Sequence, residues 1–347
     1  MSASPDSTTT TCAICNRVTT LFNYGVLCCN ACKMFYRRAL TCKRPKVCKC
    51  SSNIKKESPQ EFIPNKMCGY CRYSRCLEVG MTCNLEIEQK LMKSSDFLTD
   101  ILEKLVLLDS HRQGLFLNYH APGDLPLEQA FQEPIKFTLR PFSNNLKFSD
   151  WSTIEQLTTI NYFKHMDFTN ELIQSDRTAF LKNAYFHSSI FMNAMRSYTW
   201  KKALMVYPND IDCPEGTVES GLFSTEFTTR IKCRLVGKMI ELQITQQEFL
   251  LLSVLLFCDP GIENLTPHGR ALIAKYREKY QSALFQYCSI THQQSGPSRF
   301  MDLISLCSVL KRTIKDISYF FIIYQMHVVR GDWRKVFVDS VKSVSLN

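Results

Sequence analysis

The decisive stretch is Cys29-Asn-Ala-Cys-Lys-Met-Phe-Tyr-Arg-Arg-Ala-Leu40, preceded by Cys12-x2-Cys15 with thirteen residues between the two CxxC pairs. Two such pairs at this separation bring four thiolates onto one tetrahedral zinc. With no histidine or carboxylate in the set, the metal is closed to water and structural. Residues 29–40 hold neither proline nor glycine and read as a helix opening on the second pair. At 3.6 residues per turn Cys29, Cys32, Phe35, Tyr36 and Ala39 share one side, and Asn30, Lys33, Met34, Arg37 and Arg38 the other. One face serves metal and core. The other is basic and fits a major groove, where Lys and Arg reach guanine and Asn pairs with adenine.

Working outward, Cys42-x5-Cys48 followed after nineteen residues by Cys68-x2-Cys71 gives a second four-thiolate set. Cys50 competes with Cys48 for the same ion, and Cys48 is preferred because it closes a compact loop from Cys42. Cys28 and Cys76 are expected to be packed free thiols. Residues 69–79, stopped by Gly80, predict a second helix whose Arg72 and Arg75, one turn apart, clamp phosphate.

Composition sharpens once it is partitioned. The 347 residues carry a net charge of +10 and 17 cysteines, with 45% hydrophobic and 21% charged residues. Residues 12–83 contain 13 Lys plus Arg against Glu57, Glu61 and Glu78, which leaves 29 basic and 29 acidic residues elsewhere. The whole excess therefore lies in one segment, as a polyanion-binding surface requires. Twelve of the 17 cysteines lie at or before position 83. At roughly 150 residues per domain the length predicts two modules. The N-terminus lacks the features of a signal peptide, and the longest apolar run, residues 249–257, is far short of the about 20 residues a bilayer needs. A soluble intracellular protein with no membrane association is expected, its cysteines holding metal rather than disulfides.

Beyond residue 84 the periodicity is helical. Leu91, Leu98, Ile101, Leu102, Leu105 and Leu108 predict a core helix, and the proline-punctuated segment 122–141 an irregular one that wraps the surface or carries a short strand. Ser152-Thr-Ile-Glu155 and Thr245-Gln-Gln-Glu248 read as capping boxes. Further helices are expected from Asp176 to about Ser197, over the all-apolar 249–257, and over 267–290 and 297–326.

The pattern CxxC-x13-CxxC-K-x-F-Y-x-R, then C-x5-C, then C-x2-C-R-x3-C-L-E-V-G-M, covers residues 12–81 and resembles the DNA-binding domain of nuclear hormone receptors, the expanded nematode branch most of all. The resemblance implies that Asn30, Ala31 and Met34 discriminate half-sites, that Lys33 contacts a base, and that Arg37, Arg38, Arg72 and Arg75 touch DNA. Asn30-Ala31 stands where the family commonly has Glu-Gly, so the usual half-site is not carried over. The 48–68 interval is also longer than the family's. Phe168-x3-Leu172-x3-Asp176-Arg-x2-Phe-Leu, Leu-Leu-Phe-Cys-Asp-Pro at 255–260 and the following Leu265-Thr-Pro-His-Gly-Arg resemble the family's ligand-binding domain. That implies a three-layer all-α sandwich in which Lys164 and Asp339 grip a coregulator's leucine-rich helix from both ends. Its inward Phe, Met and Leu residues either line a pocket for a small hydrophobic ligand or fill it.

The expected organisation is a disordered terminus over 1–8, a two-zinc DNA-binding module over 9–84, a hinge over 85–94 and a ligand-binding and coregulator domain over 95–347. The expected function is that of a nuclear, sequence-specific transcription factor acting on RNA polymerase II genes, ligand-regulated or orphan. Its partners are double-stranded DNA, transcriptional coregulators and a homo- or heterodimer partner receptor. A zinc-scaffolded protein-interaction adaptor is the alternative. No histidine-carboxylate-nucleophile set, phosphate loop or open metal site suggests an enzyme.

Overall fold

In the computed structural model the described residues are 11–19, 21–41, 47–48, 67–81, 96–141, 146–214, 217, 221–327 and 333–346. The expected disordered terminus and hinge, and Cys42 and Cys50, lie outside them. The chain divides into two compact units, Met1–Lys93 and Ser94–Asn347.

In the first unit a two-stranded antiparallel ribbon, β1 (Phe22–Asn23) and β2 (Val26–Leu27), turns through Gly25 at a φ of 83°, a left-handed value that glycine adopts without strain. It leads into α1 (Asn30–Thr41), and α2 (Gly69–Glu78) packs across α1. The core is small: Ile14, Val26, Tyr36 and Met81 join buried cysteines. Tyr36 carries much of it, stacking on Tyr73 at 6.0 Å and donating its hydroxyl to the Met81 carbonyl at 2.7 Å. Cys28 and Cys76 are fully buried, and burial pushes their thiols up to about 12 and about 11. They pack as neutral thiols.

The second unit is a helical sandwich. It comprises α3 (Asp96–Asn118), α4 (Leu127–Gln132), α5 (Phe148–Lys164), α6 (Asp167–Glu171), α7 (Gln174–Thr199), α8 (Thr225–Leu242), α9 (Gln246–Phe257), α10 (Pro267–His292), α11 (Gly296–His327) and α12 (Lys335–Leu346). A short antiparallel pair, β3 (Tyr119–His120) with β4 (Thr138–Leu139), encloses α4. The 122–141 segment thus carries the short strand allowed for it and a helix that was not foreseen. As its all-apolar sequence requires, α9 is central, with Phe249 to Leu252 and Val254 all buried. Its capping box forms as read: Thr245 Oγ1 accepts from the Glu248 amide at 3.2 Å, and Glu248 Oε2 accepts from the Thr245 amide at 2.9 Å. Glu248 is also gripped by Arg299, through Nε and Nη2 at 2.7 Å each. Burial works against its charge, but the Arg299 and Thr245 hydrogen bonds prevail and hold the carboxyl below its usual range.

The other capping box does not form. Helix α5 begins at Phe148, where Asp150 Oδ2 accepts from the Lys147 amide at 3.1 Å, so residues 152–155 lie inside the helix. Glu155 serves a different purpose. It is fully buried, takes a bond from Arg112 Nη1 at 3.2 Å and pairs with Arg196, while Arg112 also meets Asp109 Oδ1 at 2.7 Å. This ion network ties α3, α5 and α7 together at their centre. Asp176 plays a matching role between α7 and α10, accepting from the Thr266 amide at 2.8 Å and the Thr266 hydroxyl at 2.6 Å.

Among the described residues no helix is long and apolar enough to cross a membrane.

Candidate functional site

Cys12, Cys15, Cys29 and Cys32 converge so that all four Sγ atoms lie within 4.8 Å of one another, Cys15 and Cys29 at 3.6 Å. A tetrahedron of sulfurs around zinc, each about 2.3 Å from the metal, has edges of about 3.8 Å. The cluster fits that ion. The four thiols differ: burial raises the Cys12 thiol, but backbone hydrogen bonds from Cys29, Cys15 and Ile14 outweigh this and bring it down to about 7, whereas burial pushes the Cys15 and Cys32 thiols up. Cys48, Cys68 and Cys71 form a second group, with Cys48 Sγ at 3.8 Å from Cys68 and 3.4 Å from Cys71. Cys48 therefore sits with the second set, whose expected fourth member, Cys42, lies outside the described residues.

Because Cys29 and Cys32 stand at the start of α1, the first cluster fixes the helix's axis and rotation. Cys32 and Tyr36 face inward and are buried. The opposite face is open: Asn30, Ala31 and Arg38 are exposed, Lys33 and Arg37 half-buried, and Met34 keeps 39% of its surface in solvent despite being apolar. There is no acidic residue in the helix to neutralise this face.

The two arginines of α2 part company. Arg75 is exposed and meets Glu78 at 3.5 Å. Arg72 was expected to clamp phosphate beside it, and the structure instead turns it inward, with Nη2 donating to Cys32 Sγ at 3.1 Å and its guanidinium 4.5 Å from the Phe35 ring. The physical reason is charge. Four sulfurs around one metal concentrate negative charge, and a guanidinium one helix away is its natural complement.

In the second unit Lys164, at the last turn of α5, and Asp339, on α12, both reach the short helix α4. Lys164 Nζ donates to the carbonyls of Ala130, at 2.7 Å, and Glu133, while Asp339 Oδ2 accepts from the Leu127 amide at 3.1 Å. Burial, aided by Arg177, lowers the Lys164 ammonium to about 8. Helix α12 itself is docked: Val336, Phe337 and Val341 are buried, each contributing about 1.5–3 kcal/mol. Ser340, which interrupts its apolar pattern, lies 2.5 Å from Gln156 Oε1 and accepts from the Tyr185 hydroxyl at 3.3 Å. A cavity between α5, α7, α8 and α11 is lined by Phe148, Phe186, Met205, Ile231 and Ile317, with Lys232 paired to Asp212 at 2.6 Å on its wall.

Residues 10–83 match the model of the C4-type double treble clef zinc finger, and residues 139–326 that of the ligand-binding domain of nuclear hormone receptors. The chain belongs to the nuclear hormone receptor family. Similar relatives include the Caenorhabditis elegans nuclear hormone receptor family members nhr-9, 35% identical over 91% of each chain, and nhr-167, 33% identical over 96% of this receptor and 97% of the relative. Nhr-27 of the same organism is 35% identical, covering 92% of this receptor and 90% of the relative. The receptor is thus a DNA-binding transcription factor rather than an enzyme, built from a structural-zinc finger and a helical ligand-binding domain. The family's members act in the nucleus.

Two structural features of the receptor escaped the sequence. Arg72 carried a signal, its position one helix away from a thiolate cluster, but Arg75 beside it suggested a shared role. Helix α4 carried the spacing Leu127, Ala130, Phe131, which is i, i+3, i+4, hidden in a proline-rich segment.

Proposed function

We propose that α1 is the recognition helix and that its outer face specifies the receptor's DNA site. The carrying observation is the juxtaposition of an open, acid-free basic face with a cysteine cluster that fixes its rotation. In this reading Asn30, Ala31 and Met34 face base edges, Lys33 reaches a base acceptor, and Arg37, Arg38 and Arg75 hold phosphates. Arg72 stabilises the cluster rather than touching DNA. One structural zinc is held by Cys12, Cys15, Cys29 and Cys32 and a second by Cys42, Cys48, Cys68 and Cys71. The metals' only work is to set the helices.

The second unit recruits coregulators between Lys164 and Asp339, and the α5–α7–α8–α11 cavity takes a small, mostly apolar ligand. The receptor works in the nucleus, alone or paired with another receptor on DNA. Binding to mixed-sequence duplexes should fall roughly fortyfold between 50 and 200 mM salt if the three arginines Arg37, Arg38 and Arg75 neutralise phosphates. Binding that is flat in salt and indifferent to sequence would support the adaptor reading instead.

A further inference from the structure

The groove formed by α5, α7 and α12 is already filled, and by the receptor itself. Helix α4 packs on all three elements. Its ends are held by opposite charges, Asp339 at the N-terminal amide and Lys164 at the C-terminal carbonyls. That arrangement matches the polarity of a helix, whose first amides are partly positive and last carbonyls partly negative, and it admits one orientation only. Between the ends Leu127, Ala130 and Phe131 are buried at 7%, 0% and 2% exposure. Phe131 meets the Tyr185 ring edge-on at 5.3 Å, and Glu128 pairs with Lys182 at 2.8 Å on the rim. The preceding turn is tied to α12 as well, since Asp124 Oδ1 accepts from the Lys335 amide at 2.6 Å and Arg334 donates to the Gly123 carbonyl at 3.3 Å.

We propose that α4 is a built-in occupant of the coregulator groove, an internal copy of the amphipathic helix that partners present, so that recruitment requires its displacement. The proposal rests on the reading of Lys164 and Asp339 as the coregulator clamp. A tether makes the internal helix a strong competitor through effective concentration, while two features keep it displaceable. Six residues make a helix that is marginal without its groove, and Ala130 is a small anchor where a partner with leucine at the same spacing buries more surface. Docking of α12 and occupancy by α4 are also coupled, because Asp339, Arg334 and Lys335 bind the α4 segment directly. Any change that loosens one loosens the other.

The test uses the full-length receptor and a fluorescent peptide with leucine at i, i+3 and i+4, read by anisotropy. Leu127→Ala with Phe131→Ala should bind the peptide about tenfold more tightly than wild type, the gain expected when a groove open about a tenth of the time becomes fully open. Gln132→Pro, at an exposed position, breaks the same helix without cutting the core and should reproduce the gain. Lys164→Ala added to either variant should remove it. Wild-type and released receptors that bind equally, and both lose affinity with Lys164→Ala, would overturn self-occupancy while leaving the clamp intact. Failure of every form to bind would overturn the clamp reading itself. Independently of any peptide, Asp339→Ala should accelerate hydrogen exchange at the Leu127 amide; unchanged exchange would contradict the tie between α12 and α4.

Discussion

Cys32→Ser is expected to abolish specific DNA binding and to lower zinc content from two ions per chain to one. Cys32 is fully buried at the first turn of α1; its sulfur is one of four converging atoms and also accepts a hydrogen bond from the Arg72 guanidinium. Serine offers a poor ligand, and a small zinc module draws about 10–16 kcal/mol of folding free energy from each structural ion. The first unit's apolar core, centred on Tyr36, Ile14, Val26 and Met81, is far too small to make up that loss. Without the cluster α1 loses the anchor that sets its rotation, so recognition is lost and not merely weakened. Native mass spectrometry and duplex binding measure both effects. The second unit has its own core, so its thermal transition should be unmoved; retention of two zinc ions and site-specific binding in the variant would show that Cys32 is not a ligand.

Glu155→Ala is the counterpart in the ligand-binding domain. The carboxylate is enclosed by Arg112 and Arg196, and the Arg196 guanidinium is further walled in by Phe116, 3.8 Å from its ring centre. Removing the anion leaves two buried cations with Asp109 as the one neighbouring carboxylate among the described residues, a change that costs about 3–5 kcal/mol. For a unit of this size that corresponds to a fall in Tm of roughly 6–20 °C. Calorimetry on the intact receptor should show the loss in the second unit's transition alone. A shift below about 2 °C would mean that water or backbone groups satisfy the arginines.

These two sites also show what the sequence could and could not reveal. The cysteine clusters were legible because zinc chemistry imposes spacing along the chain. The faces of α1 were legible because a helix converts that spacing into rotation. The Thr245–Glu248 cap, the apolar run of α9 and the long helices α10 and α11 announced themselves through local pattern. Glu155 did not. Its partners Arg112 and Arg196 are distant in sequence, and its neighbour Ser152 imitated a cap that Asp150 provides at the true start of α5. Ser340 interrupts the apolar pattern of α12, and its partners, Gln156 and Tyr185, belong to other helices, so the sequence carries no local sign of its role. Helix α4 is too short for periodicity to declare itself, and its meaning depends on Lys164 and Asp339, which only the fold brings to its two ends.

If α1 is the recognition helix, its outer face chooses the DNA site. The most direct test is selection of bound sequences from a random duplex pool, carried out with the wild-type receptor and with Asn30→Glu combined with Ala31→Gly. Wild type should select a defined motif and the variant a different preferred base at one or two positions, with discrimination of about 1–3 kcal/mol per altered contact. An identical motif from both proteins, at equal affinity, would contradict that role for α1.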